Sequence, residues 1–392
     1  MQLAEIIRKK SAQYLDEVIA IRRHIHMHPE LSFREHETSA FVKKRLEEYG
    51  LDCKTVAGTG LLATITGKAG RSSKCIALRA ELDALPVTEK NDLPWRSLVP
   101  GVMHACGHDV HASCLIGAAR IIKELEDEFT GTVHLLFQPG EETLPGGAKK
   151  LLEEKVFGNN QPSVVIAQHV LPELGAGETG IRPGVYMASG DEIYITVSGK
   201  GGHGATPDKT VDTVAAMSHV VVALQQVSSR FAPPHIPTVL SFGKFIANGA
   251  TNVIPGEVII EGTFRTMDEE WRAEAHEIIN RIAVNIATSL GASCSVEIRK
   301  GYPVLYNDPG MTSLMGSYMK EYLGSRKVKD LQIRMTTEDF AWFAREYPAV
   351  FYRLGTGMPD RLLHSPEFDI DEQIMLEGTG LPAWLALSFL LQ

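Results

Sequence analysis

The sequence contains no run of about 20 apolar residues, the length a membrane-spanning helix requires. Its most apolar stretch, LPAWLALSFLL at 381–391, is about half that long and reads as a buried terminal helix. The opening residues, MQLAEIIRKKSAQ, are charged throughout, so no secretory leader and no membrane partner are expected. Cysteine is scarce. The five residues Cys53, Cys75, Cys106, Cys114 and Cys294 are odd in number and scattered, which excludes a secreted disulfide framework and points to a reducing compartment, the cytoplasm. Positive charge is in deficit, with a formal net charge of -9. That excludes nucleic acid as the main partner, because neutralising phosphates needs clustered Lys and Arg.

Several chemical signatures are also missing. There is no G-x-S-x-G nucleophile elbow and no phosphate loop ending in Gly-Lys-Ser/Thr. His36-Glu37 starts like a zinc-protease motif but lacks a second histidine four residues after the first. Gly58-Thr59-Gly60 with Ala63 resembles a dinucleotide fingerprint, yet ATITG continues it as a strand where the fingerprint demands a helix. The histidines of RRHIHMHPEL (His24, His26, His28) have no cysteine or carboxylate in their pattern and read as structural or capping groups.

What is present is a chain of 392 residues, longer than the ~250–300 at which a single core stops growing, so two domains are expected. Helices are predicted over 11–27, 39–50, 112–126 and 147–156. Short apolar strands are predicted over 61–67, 75–80, 132–138, 164–169 and 350–355. Their alternation indicates the α/β class, with a mixed, largely parallel sheet flanked by helices. Residues 191–300 read instead as strand, helix, strand, strand, helix, strand, a ferredoxin-like βαββαβ unit complete in itself. Because α/β elements return after it, it is expected to be inserted. The main domain would then comprise 1–184 and 301–392, and the insertion 185–300, with joints at RPG (182–184) and GYP (301–303).

MHACGHDVH at 103–111 packs a cysteine and three histidines into nine residues before an apolar helix. Cys106 and His108 suit a borderline-soft cation such as zinc; two residues apart, they are expected to converge from an extended loop leading into the helix. FQPGEE puts Glu141 and Glu142 at the end of a strand, and His169 closes another. Asp83 follows a third, at the sheet edge where open α/β folds bind ligands. One glutamate on a metal and the other free to carry protons would suit hydrolysis.

Ten stretches, taken in order, resemble the di-metal amidohydrolases and metallopeptidases that include aminoacylases, carboxypeptidases, hippurate hydrolase and indole-acetyl-amino-acid hydrolases. They are RRHIHMHPELSF, RAELDALP, MHACGHDVH, FQPGEE with GGAKKLLEE, AQHV, GKGGHGATP, TNVIP, TFRT, TTEDFAWF and LHSPEF, and they run over essentially the whole chain. The resemblance implies Cys106, His108, Glu142, His169 and His364 as metal ligands, Glu141 as general base and an orienting Asp83. It also implies a lid and dimerisation role for the insertion, hence a homodimer, with His203, Asn252 and Arg265 on the substrate. Many relatives carry His-x-Asp where this chain has Glu81-Leu82-Asp83, so a ligating histidine is absent there. The cysteine of MHACGHD assigns the chain to the cysteine-ligand branch, and Glu81 is not counted as a ligand.

The expected cofactors are two divalent ions, zinc or manganese first, with cobalt or nickel also tolerated by His, carboxylate and thiolate. They would share a bridging water and polarise the scissile carbonyl. Arg265 would pair with a carboxylate, so the expected substrate is a small N-acyl amino acid, cleaved to a carboxylate and a free amino acid. A dipeptidase or carboxypeptidase using the same site is the alternative. A cysteine hydrolase with Cys106 as nucleophile and a non-catalytic binding protein on this fold are the readings from other classes.

Overall fold

The computed structural model describes residues 2–392. The chain forms two compact units, one of Met1–Tyr186, Tyr306–Gln332 and Asp339–Gln392, the other of Met187–Leu305 and Ile333–Glu338.

The first unit is built on an eight-stranded sheet. Its strand order is Cys53–Val56, Gly60–Thr66, Thr132–Gln138, Cys75–Glu81, Val164–Leu171, Ala349–Gly355, Thr179–Ile181, Val328–Asp330. The central strands Thr132–Gln138, Cys75–Glu81, Val164–Leu171 and Ala349–Gly355 are mutually parallel, and antiparallel pairs join Gly60–Thr66 and Thr179–Ile181 to them. Every residue of these four strands is buried. This is why they read as continuous apolar runs: a parallel strand covered on both faces has no solvent side to alternate with.

Helices Gln2–Met27, His108–Glu124 and Met375–Leu390 pack on one another, the last two also against Cys75–Glu81. The N-terminal helix starts earlier than the 11–27 expected from sequence. Ala4, Ile7, Ser11, Tyr14, Val18, Ile21 and Ile25 are all buried at steps of three or four, so the apolar stripe extends through the charged opening residues. Apart from the exposed Leu391, the apolar tail lies within the buried terminal helix Met375–Leu390, as expected. No helix among the described residues is long and apolar enough to cross a membrane.

The second unit carries an antiparallel sheet ordered Thr238–Ile246, Glu257–Thr266, Ser189–Ser198, Ser293–Lys300, with helices Thr213–Leu224 and Glu269–Ser289. Asp212 and Asp268 cap the two helices, accepting from the Ala215 and Trp271 amides at 2.9 and 2.7 Å. In chain order the elements run strand, helix, strand, strand, helix, strand. Ile193, Ile195 and Val197 alternate onto one face of the sheet beside Val258, Ile260 and Phe264, and with Ala216, Val220, Trp271 and Ile279 of the helices they give this unit its own core.

Candidate metal centre

Three parallel strands of the first unit open at one sheet edge. Cys75–Glu81 leads into Asp83, Thr132–Gln138 leads into Glu141 and Glu142, and Val164–Leu171 carries His169 near its end. Cys106 and His108 meet there through a tighter device than the extended loop expected from sequence. His108 is the first residue of helix His108–Glu124, and Gly107 before it is left-handed at φ 82°. A side chain at Gly107 would overlap Val170, so the turn needs glycine for both its dihedral and its space.

His108 and His169 are each oriented by their second nitrogen. His108 Nδ1 lies 2.8 Å from the Asp83 backbone oxygen and 3.3 Å from Asp83 Oδ1, which turns Nε2 to within 4.0 Å of Glu142 Oε1. His169 Nδ1 donates to the Val170 carbonyl at 2.7 Å, leaving Nε2 3.5 Å from Cys106 Sγ. His364 Nε2 lies 3.3 Å from Glu142 Oε1; its backbone is left-handed at φ 63°, and its amide donates to the Ala105 carbonyl at 2.8 Å. A non-glycine residue in that region is strained, and such strain concentrates at functional sites. Asp83 Oδ2 accepts from Ser32 Oγ at 2.7 Å and from the Glu142 amide at 2.9 Å.

Donor atoms of Cys106, His108 and His169 all lie within 4.8 Å of one another, as do those of Cys106, Glu142 and His364, and those of His108, Glu141 and Glu142. His108 Nε2 and Glu142 Oε1 are buried and make no hydrogen bond among the described residues. Buried polar atoms are ordinarily satisfied. Orphaned atoms converging beside a thiol and further imidazoles fit divalent cations, and the mix of sulfur, nitrogen and carboxylate oxygen suits a borderline metal.

The electrostatics agree. Burial alone would push the His108 pKa down, but Asp83, Glu81 and Glu142 more than offset it and raise it to about 10. The carboxylates around His108 thus favour positive charge at that residue. His169 is held well below its usual value, first by burial and then by Arg353. Burial, followed by Glu142 and Glu141, pushes the Cys106 thiol well up. Without a cation this cysteine is not a thiolate, which disfavours the cysteine-nucleophile reading.

Glu81, His108 and His111 also bring donors together. Two of the three are already engaged: Glu81 is bound by Arg79 and, at 2.9 Å, by His111 Nδ1, while His111 Nε2 accepts the Val170 amide at 2.9 Å. His111 therefore anchors the strand end that carries His169. Its one sequence signal was its place three residues after His108 on the same helix face. The buried His26 lies 2.9 Å from Asp109 and 3.3 Å from Glu89, a structural placement.

His203, Asn252 and Arg265 belong to the second unit. His203 and Asn252 are neighbours there: His203 pairs with Val253 across a short ladder, and the Gly204 amide donates to the Asn252 carbonyl at 2.8 Å. Both are exposed. Arg265 is half-buried, with Nη1 3.2 Å from Thr337 Oγ1 and 3.4 Å from the Met335 carbonyl. It has no carboxylate partner among the described residues, and burial lowers its pKa.

Residues 77–386 match peptidase family M20/M25/M40. The chain is 41% identical over 308 residues to an N-acyl-L-amino acid amidohydrolase of Geobacillus stearothermophilus, covering 78% of this chain and 82% of that one. It is 34% identical over 397 residues to thermostable carboxypeptidase 2 of Saccharolobus solfataricus, covering 99% of both. A solved structure of a dinuclear metal-binding peptidase of the M20 family, from Bacillus subtilis, superposes with a TM-score of 0.83 at 32% identity. That match covers 97% of this chain and 99% of that one.

Proposed function

The chain belongs to peptidase family M20/M25/M40, and on that footing we propose that this metal-dependent hydrolase cleaves N-acyl amino acids to a carboxylate and a free amino acid. The observation that carries the reading is the buried Glu141 beside a donor set of Cys106, His108, Glu142, His169 and His364. These five residues hold the divalent ions, zinc or manganese in the first instance. When bound, the ions supply acidification of water toward neutral pH and polarisation of the amide carbonyl.

Glu141 takes the proton of the attacking water and returns it to the leaving nitrogen. Asp83 orients His108 through Nδ1 and holds the Glu142 amide. His203 and Asn252 donate to the developing oxyanion. The guanidinium of Arg265, which has no carboxylate partner among the described residues, supports recognition of a carboxylate, which selects an α-amino acid as leaving group. The relative named as an N-acyl-L-amino acid amidohydrolase supports the acyl substrate, and the relative named as a carboxypeptidase keeps the peptide alternative in view. A homodimer formed through residues 185–300, in the cytoplasm, completes the reading.

The deciding assay measures amino acid release from N-acetyl, N-benzoyl and indole-acetyl amino acids and from simple dipeptides, with metal-loaded and chelated protein. Chelator-sensitive turnover fastest on an N-acyl amino acid is expected. Faster turnover of dipeptides would shift the assignment to the peptidase, and no turnover of any member with any of the four metals would overturn it.

Arg265→Ala tests the carboxylate contact. KM for the preferred substrate should rise by roughly 10- to 100-fold, the worth of one charge-assisted pair. KM for its carboxamide analogue should stay within about twofold, because that analogue offers no charge to lose. Equal changes for both substrates would remove Arg265 from this role.

A further inference from the structure

We propose that Glu35 is a positioning residue whose buried carboxylate, bonded to the Gly140 amide, fixes the turn that presents Glu141 and Glu142. The proposal rests on the roles given to that pair above. Glu35 occupies the N-cap of helix His36–Glu48 but makes no side-chain cap. The short polar residues preferred there, Ser, Thr, Asp and Asn, spend their side chains on the first free amides of the helix. Here Glu30 does so instead, accepting from the Glu37 amide at 3.2 Å, the Thr38 amide at 2.8 Å and the Thr38 hydroxyl at 2.9 Å.

The Glu35 carboxylate is thereby freed to turn inward. Oε1 accepts from the Phe33 and Gly140 amides, both at 2.8 Å, and Oε2 accepts from Thr59 Oγ1 at 2.6 Å. The residue is fully buried and has no cationic partner among the described residues. Burying a carboxylate without a cation is costly, and the helix does not need this one for its cap. What it does hold is the chain immediately before Glu141.

The surroundings are shaped to the same contact. Gly140 is left-handed at φ 59°, and a side chain there would overlap the Phe33 ring, itself placed by a left-handed backbone at φ 63°. Thr59 and Gly60, part of the incomplete dinucleotide fingerprint, acquire a use. Thr59 donates to Glu35, and a Cβ at Gly60 would come 2.8 Å from Pro139 Cδ. On the far side of Glu141, Asp83 accepts the Glu142 amide at 2.9 Å. Two buried carboxylates therefore anchor the backbone amides on either side of Glu141. A base displaced by about 1 Å can lose 100-fold in rate, so rigidity at this turn has a direct kinetic value.

Reach and charge are separable at this position. Glu35→Gln keeps the length and the accepting oxygen but removes the charge, and its amide can still meet the Thr59 hydroxyl. Glu35→Asp keeps the charge but falls one methylene short of Gly140. For Glu35→Asp, kcat should fall about 100-fold with KM within about threefold, while Glu35→Gln should keep kcat within about tenfold of wild type. Amide hydrogen exchange over residues 138–143, measured on metal-free protein, should accelerate in Glu35→Asp and stay near wild type in Glu35→Gln.

A Glu35→Asp variant more active than Glu35→Gln would overturn the proposal, because charge rather than position would then matter. So would unchanged exchange over 138–143 in Glu35→Asp. A wild-type protein with no turnover would refute the catalytic reading of the site instead, and the exchange comparison would still decide whether Glu35 holds the turn.

Discussion

Glu141→Gln should lower kcat by roughly 1000-fold, about 4 kcal/mol of transition-state stabilisation, with KM and metal content within about twofold of wild type. Glutamine preserves the volume of this buried side chain and can still accept the Asp339 amide, which lies 3.4 Å from Oε1. It cannot take a proton from water. The adjacent Glu142→Gln is the control, because Glu142 Oε1 lies 3.3 Å from His364 Nε2 and 4.0 Å from His108 Nε2, among the proposed ligands. That variant should lose metal as well as activity. The comparison matters because both glutamates place an oxygen within 4.8 Å of a His108 nitrogen, so proximity alone does not separate ligand from base. Metal loss in Glu141→Gln, measured by elemental analysis, would exchange the two roles. Near-wild-type kcat would move the base elsewhere.

The main sheet was legible because its central strands are buried on both faces and appear as uninterrupted apolar runs; Thr132–Gln138 has the bounds that its apolar run predicts. The residues gathered at the sheet edge were legible for a different reason: Glu141 follows directly on the end of one parallel strand and His169 lies near the end of another, and parallel strands open on one side. What the sequence concealed was backbone conformation. Cys106 and His108, two apart, suggested an extended loop, whereas a left-handed Gly107 brings them together at the helix start. A glycine's dihedral carries no periodic signal, so only the fold reveals it.

Glu35 and His111 were hidden for a related reason. Each acts on a backbone amide distant in sequence, Gly140 and Val170 respectively, and an amide leaves no trace in residue type. The first turns of the N-terminal helix were hidden by charge: Glu5, Arg8 and Lys9 face outward while Ala4, Ile7 and Ser11 face the core. Reading the stripe rather than the average would have extended that helix toward residue 2.

Arg22→Ala should destabilise the metal-free protein by about 3–5 kcal/mol, the cost of removing one partner from a buried ion pair. Arg22 is fully buried. Nε meets Asp109 Oδ2 at 2.8 Å, and the two terminal nitrogens reach Glu372 at 3.2 Å and Asp369 at 3.4 Å. Asp109 is equally buried and lies in the first turn of the helix that begins at His108, so Arg22 ties the N-terminal helix to the element carrying a proposed ligand. With the guanidinium gone, His26 at 2.9 Å is the remaining cationic candidate for Asp109. Lysine would not restore three differently directed contacts with one ammonium.

The same network sets a pH dependence. Burial alone would raise the Asp109 pKa, but Arg22 and then His26 hold it far below the ordinary carboxylate range. A depressed carboxylate contributes stability that is present above its unfolded value near 4 and is lost as pH falls through its folded value. The Arg22→Ala penalty should therefore be full at pH 7 and shrink in acid. Urea unfolding at pH 7 and below pH 4, with Arg22→Met/Asp109→Leu beside the single variant, separates charge from packing. The double variant should unfold closer to wild type than Arg22→Ala does, because it leaves no orphaned carboxylate. A single-variant penalty under about 1 kcal/mol, or one independent of pH, would mean that this buried network does not secure the helix.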